Sequence, residues 1–252
     1  MKKILTVVIF YCSITFVLAQ QRAEADTIAT NDGEVIIQPI LHGTLVLSWN
    51  NQTVYIDPYG GIEMFDGLKD PTLILITDIH GDHLNQKTLD TLETDRAQFI
   101  APQAVKEKLP EEMARRTAPI ENGQTIVFEG IEILAIPMYN LPETEDSRHP
   151  KGRGNGYVLT IGGKRFYISG DTEDIPEMRN LQNIDVAFVC MNLPYTMDVN
   201  QAASAVIEFQ PSIVYPYHYR GKDGLSDVGG FKQQIESVDL SIEVRLRNWY
   251  ME

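Results

Sequence analysis

The 252-residue chain is 43% hydrophobic and 22% charged, a balance that excludes a disordered or collagen-like polymer and suits a globular protein. Its formal net charge of −14 repels phosphate backbones and argues against nucleic acid as a partner. Two cysteines, one of them near the N-terminus, exclude a disulfide-stapled scaffold.

Lys2 and Lys3 precede the apolar stretch ILTVVIFYCSITFVLA, which reads as a secretory signal peptide over residues 1–19. A short membrane anchor is the alternative, at the lower limit of spanning length. Cleavage near Ala19 moves the formal charge to about −16, by removal of the two lysines. The mature protein is then expected to be exported, periplasmic or extracellular, without a stable membrane span. It keeps only Cys190, in the apolar run IDVAFVC, so an intramolecular disulfide is impossible. Residues 20–32 are expected to form a flexible segment and residues 33–252 a single domain.

EVIIQPILHGTLVLSWNNQTVYIDPYG predicts three short strands with turns at His42-Gly43 and Asn50-Asn51. TLILIT has no alternation and is too short for a helix, which predicts a buried strand. Asn85 can cap a helix through TLDTLE; QFIAPQ predicts a strand, and AVKEKLPEEMARR weak helix interrupted by Pro110. Strands return in QTIVFEGIEILAIPMY and GYVLTIGGKRFYISGD, with a tight reversal at Gly162-Gly163. IPEMRNL, NQAASAVIEF and FKQQIES predict helices between strands in IDVAFVCMN, SIVYPYHY and IEVRLRNWY. Strand-rich halves interleaved with helices predict an α/β (α+β) fold of two stacked sheets with helices outside. The pattern leaves the topology open.

Several aliphatic runs stop at a polar ligand type: TLILIT at Asp78, FYISG at Asp171, SIVYPY at His218 and LAIPMY at Asn140. Strand ends and the loops after them are where rigid scaffolds place reactive groups. The stretch LILITDIHGDHL adds His80, Asp82 and His83 to Asp78 within six positions. Clustered carboxylates and imidazoles repel or demand desolvation unless a cation sits among them, so a metal site is favoured over a charged turn. His218 could instead be a satisfied structural histidine, and Asp171 a helix cap. A nitrogen and oxygen donor set suits zinc, at distances of about 2.0–2.2 Å.

Asp78-x-His80-x-Asp82-His83 after a buried strand, a distant Gly170-Asp171-Thr172 and the late Pro216-Tyr217-His218-Tyr219 resemble the metallo-β-lactamase fold. With Asp57-Pro58 and HPKGRGNGY, they look most like the branch of ascorbate-6-phosphate lactonase and related metal-dependent hydrolases. The resemblance runs from about residue 33 to the C-terminus. It implies a four-layer αββα sandwich with one or two divalent metal ions at one edge, zinc first and manganese or iron as alternatives. By the family pattern Asp82, His83 and His218 hold the second metal and Asp171 bridges. The first metal's three histidine positions fall on Asp78, His80 and Asn140, so one imidazole has become a carboxylate and another an amide. Asp78 can still bind and favours a harder ion. Asn140 is a weak ligand that can contact water or substrate, with His149 as a substitute. Metal ions acidify bound water and polarise the scissile oxygen. Asp82 is placed to orient the nucleophile, and Asp78 is the candidate base of a one-metal centre.

Arg148, His149, Lys151 and Arg153 form a basic island, read as a clamp for a phosphate or carboxylate of the substrate. The alternative is a solvated loop balancing Glu143, Glu145 and Asp146. His42 stands where this branch often has a histidine near the metals, or is a turn residue, and Tyr195 and Tyr219 are candidate pocket residues. The expected function is an exported metal-dependent hydrolase of a small ester, lactone or phosphoester, anionic if the clamp reading holds. A phosphodiesterase of phospholipid-like substrates and a non-catalytic metal-binding or sensing module are the alternatives. The substitutions at Asp78 and Asn140 argue against β-lactam cleavage, and a homo-oligomer is left open.

Overall fold

The computed structural model describes residues 22–238 and 241–251; the expected signal peptide lies outside them. Each half of the chain makes a seven-stranded sheet, with an antiparallel meander followed by parallel strands. In the first sheet β1 (Asp26–Ala29), β2 (Glu34–Leu41), β3 (Thr44–Trp49) and β4 (Gln52–Ile56) form the meander. β5 (Leu73–Leu75), β6 (Gln98–Ala101) and β7 (Thr117–Pro119) continue it in parallel. In the second, β8 (Thr125–Phe128), β9 (Ile131–Met138), β10 (Gly154–Ile161) and β11 (Lys164–Ile168) form the meander. β12 (Val186–Cys190), β13 (Ile213–Tyr217) and a late two-residue strand, Glu243–Val244, follow in parallel.

The strand period assigns side chains to layers. Leu73 and Leu75 of β5 face the main core with residues of the second sheet, whereas Ile74 and Ile76 face the other way. There they meet Leu89, Val105 and Leu109 of the helical segments α1 (Gln86–Leu89) and α2 (Gln103–Lys106) with the turn that follows. Burial on both faces is why TLILIT shows no alternation. Ala202, Ala203, Val206 and Phe209 of α5 (Val199–Phe209) join the main core, as does Phe231 of α6 (Val228–Val238). α3 (Glu111–Arg115) and α4 (Pro176–Arg179) are single turns. The expected αββα sandwich is the observed architecture.

Three expectations are corrected. Residues 26–29 of the supposedly flexible segment pair with β2 in register, and Arg247 holds Asp26 at 2.6 Å. The final strand shrinks to Glu243–Val244, because the residues after it turn to bond Tyr219 and Asp26. A two-stranded hairpin, Arg220–Gly221 with Gly224–Leu225, follows His218 without having been predicted.

The sheets are pinned together at one edge. Tyr157 donates its hydroxyl proton to the Ile76 carbonyl at 2.8 Å, and Asn155 N–H donates to the Thr77 carbonyl at 2.9 Å. A Cβ on Gly156 would lie 2.8 Å from the Ser169 oxygen, and one on Gly154 3.0 Å from the Thr77 oxygen. Gly154 and Gly156 of HPKGRGNGY thus serve backbone approach inside the fold.

Candidate metal centre

At that pinned edge the ends of β4, β5, β11 and β13 deliver Asp57, Asp78, Asp171 and His218, all nearly or wholly buried. The loop after β5 adds His80, Asp82 and His83, and the loop after β9 adds His149. Asp57, His42 and His218 have φ of 46°, 52° and 44°, a left-handed conformation that costs a non-glycine residue about 1–3 kcal/mol. Tertiary contacts hold the strain: His218 N–H donates to the His42 carbonyl at 3.1 Å, and Thr44 to that of Asp57 at 2.5 Å.

His83, His218 and Asp171 form one cluster. His83 Nε2 lies 3.3 Å from His218 Nε2 and 3.4 Å from Asp171 Oδ2, and His218 Nε2 is 3.3 Å from Asp171 Oδ1. Asp82 approaches from the solvent side, 3.4 Å from His218 and 4.0 Å from His83. Four donors about 2.0–2.2 Å from a common centre stand roughly 3.3–3.6 Å apart in a tetrahedron, so this set fits a divalent ion. The far side of His83 is tied down. Its Nδ1 lies 2.8 Å from Asp57 Oδ2 and 3.0 Å from Thr77 Oγ1, while Asp57 also accepts from the Thr77 N–H and hydroxyl. With Nδ1 donating, Nε2 is left to ligate.

Asp78, His80 and His149 form the second cluster. His80 Nδ1 contacts Asp78 Oδ2, and His149 Nε2 lies 3.9 Å from the same oxygen and 3.4 Å from Asp171 Oδ2. Asp171 therefore faces both clusters, as a bridging carboxylate must. His149 Nε2 and Asp171 Oδ1 are buried with no hydrogen-bond partner among the described residues, which costs free energy unless a cation satisfies them. Among the described residues the carboxylates of Asp57, Asp78, Asp82 and Asp171 crowd this edge, and one guanidinium, that of Arg153, pairs with Asp78. With neutral imidazoles three negative charges remain in excess, more than one divalent ion offsets.

The electrostatics follow. Burial raises the Asp78 carboxyl, but the His80 hydrogen bond and nearby cationic groups outweigh it and hold it down at about 2. Asp82 and Asp171 are likewise lowered against burial, mainly by His218 and His83. His83 is raised well above the usual imidazole value, because Asp171 and Asp57 outweigh its burial. His42 is lowered to about 4 by burial and by His218.

The basic island divides. Lys151 pairs with Glu177 at 3.0 Å and Glu143 at 3.7 Å, so its ammonium serves the protein rather than a clamp. Arg153 lies 3.3 Å from Asp78, and His149 belongs to the metal cluster rather than to a substrate contact. Arg148 is exposed, 4.4 Å above the Tyr195 ring, with no carboxylate partner among the described residues. Asn140 is half-buried, and its amide is engaged by the protein itself, bonding Glu173, Tyr195 and His149. Tyr219 is no pocket residue, since its hydroxyl joins the C-terminal segment at Arg247 and Trp249. His42 stands beside Asp82 and His218, with Nδ1 3.3 Å from the Tyr250 hydroxyl. The strand-end signal that marked Asp78 and Asp171 also marks Asp57, whose role the sequence reading missed.

Residues 53–219 match the family model of the β-lactamase superfamily domain. The crystal structure of a candidate metal-dependent hydrolase from Parabacteroides distasonis is 39% identical, with a TM-score of 0.79 over 89% of this chain and 98% of that one. A metal-dependent hydrolase of Pyrococcus abyssi is 27% identical over 179 residues, 67% of this chain and 78% of the relative. A metallo-β-lactamase fold protein of Bacillus subtilis shares the fold at 12% identity, TM-score 0.64, over 81% of this chain and 87% of that one. The chain belongs to the β-lactamase superfamily, on the metallo-β-lactamase fold of metal-dependent hydrolases.

Proposed function

We propose that this metal-dependent hydrolase holds two divalent ions and cleaves an ester, lactone or phosphoester bond in a small anionic substrate. The observation that carries the reading is Asp171, whose two oxygens face His218 on one side and His83 and His149 on the other. His83, His218, Asp82 and Asp171 would hold one ion, and Asp78, His80, His149 and Asp171 the other. Two imidazoles with carboxylates per ion suit zinc first, and iron or manganese as the harder alternatives. When bound, the ions supply the charge that acidifies water and polarises the scissile oxygen.

The chain's own residues do the rest. Asp82, at 36% side-chain exposure, is the carboxylate of the centre most open to solvent and stays ionised at neutral pH. It can accept a hydrogen bond from the attacking water and aim it. The dry wall behind it, built from Asp57, Thr77 and Tyr157, keeps the centre rigid and excludes competing water. Arg148, stacked on Tyr195, offers its guanidinium to an anionic group of the substrate. The signal-like N-terminus supports export to the periplasm or beyond, which cell fractionation of the full chain tests.

Elemental analysis of gently purified protein should find two ions per chain, and hydrolysis of p-nitrophenyl esters, lactones and bis(p-nitrophenyl) phosphate identifies the bond. Asp82→Ala should lower the rate about 10²–10³-fold. A metal-free protein, or an Asp82→Ala variant as active as the parent, would overturn the reading. Turnover of the phosphodiester alone narrows it to a phosphodiesterase.

A further inference from the structure

We infer that Asn140 is a positioning residue that fixes the tautomer of His149, the second cluster's imidazole on the β9–β10 connection. The inference rests on the two-ion reading. An amide's oxygen and nitrogen are told apart by partners that allow one role only. His149 backbone N–H can only donate, and it lies 2.8 Å from Asn140 Oδ1. The Tyr195 carbonyl can only accept, and it lies 2.8 Å from Asn140 Nδ2. Glu173 Oε1, at 3.2 Å, takes the other Nδ2 proton. Oδ1 is therefore an acceptor, and His149 Nδ1, 3.0 Å from it, must donate. A neutral imidazole carries one N–H. The lone pair consequently sits on Nε2, the buried atom without a hydrogen-bond partner that lies 3.4 Å from the shared Asp171 carboxylate.

The backbone closes the unit, because Asn140 N–H donates to the His149 carbonyl at 2.9 Å. The amide thus spans the loop between residues 140 and 149 and sets both the height and the ring state of His149. Through Nδ2 it also ties His149 to Tyr195, under the Arg148 guanidinium. An aspartate at 140 would keep the acceptor for His149 but could not donate to Tyr195 or Glu173. An alanine would remove both.

Two measurements on the full chain test this. Long-range 1H–15N spectra of histidine-labelled, metal-free protein at pH 8, with His149 assigned by loss of its signals in His149→Gln, report the tautomer. His149 should be the Nδ1–H form in the parent and in Asn140→Asp, and shift toward Nε2–H in Asn140→Ala. Zinc titration against a chelator should show the weaker of the two ions lost about 10–100-fold more readily in Asn140→Ala, the other unchanged. An Nε2–H His149 in the parent, or a folded Asn140→Ala that binds both ions as the parent does, would overturn the inference. A parent that binds no zinc refutes the two-ion reading instead, while the tautomer still judges Asn140.

Discussion

His83 and His149 are both buried imidazoles aiming Nε2 at Asp171, at 3.4 Å each, yet they are held by different means. Behind His83 stands the buried carboxylate of Asp57, itself fixed by the Thr77 amide and hydroxyl. Behind His149 stands a neutral amide on a loop. A carboxylate orients a ring and raises its basicity; an amide only orients it. The cluster with His218 takes Asp171 and His218 from the ends of β11 and β13, whereas His149 arrives on the long connection between β9 and β10. On the two-ion proposal, the difference predicts one tightly and one weakly held ion around a common carboxylate.

The common carboxylate gives the largest test of that picture. Asp171→Ala should strip both ions and lower the hydrolytic rate by about 10³-fold, read by elemental analysis and initial rates. Retention of one full equivalent of metal would mean that the carboxylate is not shared. Asp57→Asn converts the charged support of His83 into a neutral one like that of His149. It should weaken the tighter ion by about 10–100-fold and bring the two affinities together; affinities that stay apart would refute the role assigned to Asp57.

Acid should act on the His83 half. Its pKa is raised well above 6.5, so a proton occupies the ligand position that an ion must displace, and metal affinity falls as pH falls. Asp171 and Asp82 are lowered and stay ionised, so they add no proton competition near neutrality. About tenfold weaker binding per pH unit is expected below the His83 pKa for one displaced proton, measured by zinc competition between pH 5 and 8. A flat profile over that range contradicts it. The smallest effect is at the rim: Arg148→Ala should raise KM for an anionic ester about tenfold and leave a neutral one unchanged. Equal changes for both would remove Arg148 from substrate recognition.

Much of this was legible in the chain. TLILIT reads as a strand buried on both faces, and its abrupt change to Asp78-x-His80-x-Asp82-His83 reads as a metal loop, because strand burial and ligand chemistry are local properties. Strand ends at Asp171 and His218 could be singled out for the same reason. Lys151 and Arg153 read either as a clamp or as cations balanced by nearby Glu143, Glu145 and Asp146; Lys151 does meet Glu143, but Glu177 and Asp78 lie 26 and 75 positions away in sequence, beyond any local pattern.

By itself the sequence determined the layered fold and singled out most of the candidate ligands, since periodicity, turn residues and the crowding of carboxylates with imidazoles act over a few positions. Only the tertiary structure decided which imidazole completes the second cluster. That choice depends on the β9–β10 connection folding back so that the Asn140 amide meets His149 and the Tyr195 carbonyl at once. Hydrogen bonds between segments nine and fifty-five residues apart leave no mark on local residue pattern.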